Sequence, residues 1–76
     1  MICELDVVAL AEALPKHGLK AGDVGTVVLL HGDSGCEVEF MTFGGDTVAV
    51  VTVDKHQVRR LGRNEIHHTR VLETTT

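Results

Sequence analysis

Five short β-rich apolar blocks, a glycine-bearing loop that feeds the second of them, and two Gly-Asp turns predict an all-β chain. The expected architecture is a small five-stranded SH3-like barrel with a C-terminal extension. The loop is the most telling piece. Residues 17–30, HGLKAGDVGTVVLL, set three glycines and a turn-forming Asp directly before an unbroken Val and Leu run. Gly18, Gly22 and Gly25 can take backbone angles barred to other residues, and the Gly22-Asp23 pair is a turn signal, so Gly18, Gly22, Asp23 and Gly25 are read as structural turn residues.

The first block, residues 5–14 (LDVVALAEAL), is ambiguous: its Ala, Leu and Glu suit a helix, while Val7-Val8 and its place ahead of a turn suit a strand. It is taken as a strand ended by Pro15, with a long curved connection to Asp23. Residues 26–31 form the second strand, and Gly32-Asp33-Ser34-Gly35 a hairpin turn. In the third, residues 36–42, Glu37 and Glu39 alternate with Cys36, Val38 and Phe40, which puts the acids on the wet face. Gly44-Gly45-Asp46 turns the chain into a fourth strand, residues 47–53. Residues 54–57 then make one helical turn into a short fifth strand, residues 58–61. A meander of this kind describes an SH3-like barrel better than a sandwich or an α/β unit.

Strict alternation sets Val27 and Leu29 against Val28 and Leu30, and Val48 and Val50 against Ala49 and Val51, so the second and fourth strands are apolar on both faces. A barrel this small needs one face for its interior. Its own tail or another subunit is expected to cover part of the other.

With 76 residues there is room for one domain with a small core. Residues 1–61 are read as the barrel and 62–76 as an extension that acts as an interaction tail. Nothing in the chain resembles a membrane span or a secretory leader, and a cytoplasmic location is expected. Cys3 and Cys36 lack the density of a disulfide scaffold and are expected to be reduced. The net charge of −4 disfavours phosphate backbones, but it hides an asymmetry: residues 1–53 carry −6 and residues 54–76 carry +2.

The segments LDVVAL (residues 5–10), LPKHGLKAGDVGTVV (14–28), EVEF (37–40) and TVAVVTV (47–53) resemble a bacterial family of short SH3-like chains, domain of unknown function 4926. The resemblance covers about residues 5–61. Such chains are similar in architecture to the small barrels of nitrile hydratase β-subunits and photosynthetic electron-transport accessory proteins. The resemblance implies the barrel and a non-enzymatic character. It also implies a small partner encoded beside the gene, in some members in a toxin-and-antitoxin-like arrangement. It supplies no catalytic residues and does not reach residues 62–76.

The glycine cluster lacks the spacing of a phosphate loop and leads into a strand instead of a helix, so turn geometry is its reading. Five histidines and two cysteines show no paired metal-ligand spacing, and the adjacent His67 and His68 would rarely serve one ion. No metal or cofactor is expected. No nucleophile with a base beside it, paired carboxylate or cofactor motif is present, so no enzyme is expected either. RNA-binding barrels use basic patches and stacking aromatics, whereas this chain has no Trp or Tyr and two Phe. Two functions stay open. The first is a self-associating protein-interaction module, a homo-oligomer of two or more chains and the partner or neutraliser of a neighbouring gene's product. It would work through Arg59, Arg60, Ile66, His67, His68, Arg70, Val71 and Leu72. The alternative is a weak RNA or DNA binder using the basic end. The apolar Ile66, Val71 and Leu72 among the tail's charges favour the first.

Overall fold

In a computed structural model, described over residues 1–72, the chain is all-β. It has five antiparallel strands, β1 (Val7–Leu10), β2 (Val24–His31), β3 (Gly35–Met41), β4 (Thr47–Asp54) and β5 (Val58–Arg60), in the order β4-β3-β2-β1-β5. One core unites residues of every strand: Val8 and Leu10 of β1, Val27 of β2, Cys36, Val38 and Phe40 of β3, Val51 and Val53 of β4, and Val58 of β5, with Leu19 from the first loop. Among the described residues no buried side chain is polar, and both cysteines are free thiols, Cys3 exposed and Cys36 buried.

The first strand is shorter than residues 5–14 suggest. Leu5 sits in the left-handed region (φ 71°), which turns the chain before β1 begins. Beyond Leu10 the backbone leaves the ladder: the Ala11 N–H donates to the Gln57 carbonyl, and a 3-10 turn at Pro15–His17 is clasped by a Leu14 to Leu19 bridge. Pro15 starts that turn, where its missing N–H costs nothing. β2 in turn starts at Val24, two residues early, because Val24 and Gly25 pair with Ala9 and Val8. A second 3-10 turn, Lys55–Gln57, stands where one helical turn is expected; the Asp54 N–H donates to Gln57 Oε1 at 2.8 Å across it.

Strict alternation fails in both apolar strands. Val27 pairs with Val38 and Leu29 with Glu37, leaving Val28 as the extra residue of a β-bulge. The bulge puts Val27 and Leu30 on one face, opposite Val38 and Cys36, and turns Leu29 out beside Glu37. A second bulge inserts Val48 between Ala49, opposite Phe40, and Thr47, opposite Met41. Val48 thereby packs against the core. β3 also lies between the two apolar strands, so Glu37 and Glu39 separate their outer side chains: across the sheet one row reads Val7, Thr26, Glu39, Val50. The outer face is mixed, with no broad apolar surface.

Candidate interaction surface

Between β1 and β2 the glycine loop takes its shape from three different constraints. Gly18 closes the first 3-10 turn in the left-handed region (φ 69°), and Gly22 adopts φ 92° in the next turn. There Asp23 Oδ2 accepts the Lys20 N–H at 2.9 Å and the Asp23 N–H donates to the Lys20 carbonyl at 3.0 Å. Gly25 has no unusual φ. It is glycine for want of space, because a Cβ there would lie 2.6 Å from Val38 Cγ1 and 2.8 Å from the Glu39 carbonyl oxygen.

That loop receives the tail. Arg70 donates from Nε to Asp23 Oδ1 at 2.8 Å and from Nη2 to Asp23 Oδ2 at 2.6 Å, a two-pronged fit of guanidinium to carboxylate. Nη2 also donates to the Gly18 carbonyl at 3.1 Å. The pair is largely shielded, its side chains 26% and 17% exposed. Hydrogen bonding from Arg70 holds the Asp23 carboxyl below the usual carboxylate range, against the opposing pull of burial. The tail is anchored at its start as well. Glu65 accepts the Gly62 N–H at 2.6 Å and Arg59 Nη1 at 2.6 Å, and these two bonds, the backbone one foremost, lower its pKa.

Pinned at Glu65 and Arg70, residues 66–69 form a strap, and beside it runs a groove of about 410 Å³. Leu19, Val24, Phe40 and Val48 bring apolar surface to it, His67, His68 and Thr69 line it from the strap, and Met41 and Phe43 line it from the β3–β4 hairpin. The matched residues of the barrel can now be placed. The sequence matches the family described as Domain of unknown function (DUF4926) over residues 4–60. The chain belongs to DUF4926. No curated protein and no solved structure matches it. The DUF4926 segment thus supplies the five-stranded sheet, the glycine loop and the β3–β4 hairpin, while the strap lies outside the matched residues.

Of the residues expected at the interface, His67, His68, Arg70 and Leu72 come together at the groove, with Asp23 of the turn set. Ile66 on the strap and Val71 just after it are at least nine-tenths exposed. Arg59 and Arg60 lie elsewhere, facing Glu65 and, at 3.6 Å, Asp6. The tail seats on its own barrel. The acid it takes is Asp23 of the glycine loop, while Glu37 is engaged by His31 Nε2 at 2.7 Å and Glu39 by the Thr47 hydroxyl at 2.7 Å. Sequence reasoning missed Phe43, which is fully exposed at the hairpin tip. A phenylalanine set beside the Gly44-Gly45-Asp46 turn was the available signal. Among the described residues no group of three His, Cys, Asp or Glu side chains is placed to hold a metal, and no helix is long and apolar enough to cross a membrane.

Proposed function

We propose that this chain is a non-enzymatic protein-interaction module that associates with copies of itself, using the end of the barrel where the hairpin tip and strap meet. One observation carries the reading. Apart from Met1, the three most exposed large apolar side chains among the described residues are Phe43 at the hairpin tip, Ile66 on the strap and Val71 just after it. Apolar groups gathered on one part of a small surface mark a site of association, whereas single scattered ones need no explanation. A catalytic role for the thiols gains no support from their settings: Cys36 sits in the core, where burial pushes its pKa up, the reverse of an activated nucleophile. Less favourable to the nucleic-acid reading is that Arg59, Arg60 and Arg70 each face a carboxylate of the same chain. Sedimentation of the full chain from micromolar to millimolar concentration tests the proposal. A mass that rises with concentration to that of a dimer or more is expected, and an unchanging monomer mass overturns it.

A further inference from the structure

Beyond self-association, and independently of it, we propose that the loop at residues 18–23 is a docking site for an arginine-bearing segment of a partner protein. The chain's own tail is the resident occupant, which such a segment displaces. The two halves of the contact have separate origins. The receiving half is built by the loop alone. Gly18 stands in the left-handed region, and among the described residues no backbone N–H takes its carbonyl, which accepts Arg70 Nη2 at 3.1 Å. The turn at Gly22 sets the Asp23 carboxylate, whose Oδ2 accepts the Lys20 N–H at 2.9 Å. All of these residues lie within the matched residues 4–60, and Arg70 lies outside them.

The seated tail shows what the site reads. Residues 61–72 join no strand, and the hydrogen bonds that tie residues 66–72 to the loop come from the Arg70 side chain. Arg70 and Leu72 are half-buried and line the groove with Leu19, Val24, Phe40 and Val48, while Val71 between them is exposed. The pattern is an arginine, one free position, then an apolar residue. Net charge does not set the choice, because Lys20 as well as Arg70 lies close enough to favour the ionised Asp23. Geometry does. Two bonds to one carboxylate and a third to the Gly18 carbonyl ask for the planar fork of a guanidinium, where a lysine ammonium offers one point charge.

The test titrates the full chain with a peptide of residues 66–72, IHHTRVL, by calorimetry. Arg70→Ala in the chain frees the site, as does the milder Arg70→Lys, which keeps a cation beside Asp23. Neither touches the core, whose last member among the described residues is Val58. The peptide should bind either variant saturably, one per chain, and raise its melting temperature, as a ligand of the folded state does. It should bind the native chain at least tenfold more weakly, because the tethered tail competes at high effective concentration. Arg70→Lys in the peptide, or Asp23→Asn added to the Arg70→Ala chain, should each weaken binding at least tenfold. No binding to either variant overturns the proposal. So does equal binding to native chain and variants, or a lysine peptide that binds as well as the arginine one.

Discussion

At Gly22 and Gly25 two glycines of one loop serve unlike ends, and substitution separates them. Gly22 has open space where a Cβ would stand, so only its φ of 92° resists replacement, and Gly22→Ala should cost about 1 kcal/mol. At Gly25 the obstacle is the packed backbone and side chains of β3, and even Gly25→Ala should cost about 1–3 kcal/mol. Thermal melts of the two variants rank them. The Arg70–Asp23 pair acts on a different variable, pH. Since the folded chain holds Asp23 below its ordinary pKa, the unfolded chain binds more protons in the acid range. The stabilisation is therefore complete above about pH 4 and is lost as pH falls through the lowered folded value. Arg70→Ala should destabilise the chain by about 1–2 kcal/mol at pH 7, and the gap between it and the native chain should close towards pH 2 in melts across that range.

Individual elements were legible in proportion to how local their causes are. The β3 alternation reads straight off Cys36, Glu37, Val38, Glu39 and Phe40, because period two and a wet outer face act on each residue alone, and the hairpin turns follow from Gly and Asp chemistry. The bulges at Val28 and Val48 could not be read. Val and Leu satisfy either face, so nothing in VVLL says which residue is the extra one; only pairing with β3 decides. The early end of β1 was hidden for a similar reason, since residues 11–14 are good strand or helix material and are drawn off by a distant partner, the Gln57 carbonyl.

Over the whole molecule, the charge asymmetry was plain in the sequence and its resolution was not. Arg59 is matched within the basic end by Glu65, and the basic end meets the acidic body of the same chain through Arg60–Asp6 and Arg70–Asp23. The last of these joins residues 47 positions apart. The composition of the tail marked it as a contact segment, yet which of eight acids in the body would take Arg70 depended on a loop whose shape only the folded barrel fixes. Among the described residues the core contains none beyond Val58, so the strap is laid on a core that is already complete. The groove beside it exists because the tail touches down at its ends and spans the apolar rim between them.

The bulge at Val28 also decides where this chain can change its length. Removing one residue from a strand ordinarily turns its remaining core side chains out to water. Here one residue of β2 is already surplus to the ladder: with Val28 gone, Val27 and Leu30 still face inward and Leu29 outward, now in plain alternation. Val28 is itself 40% exposed, so less burial goes with it than with a core valine such as Val27. A chain lacking Val28 should fold with reduced stability, the loss being the bend that a bulge gives its strand. A chain lacking Val38 should not fold, because Cys36 and Phe40 can no longer both face the core. Circular dichroism and cooperative melting of the two deletions would show whether β2 is a strand in which one residue can come and go.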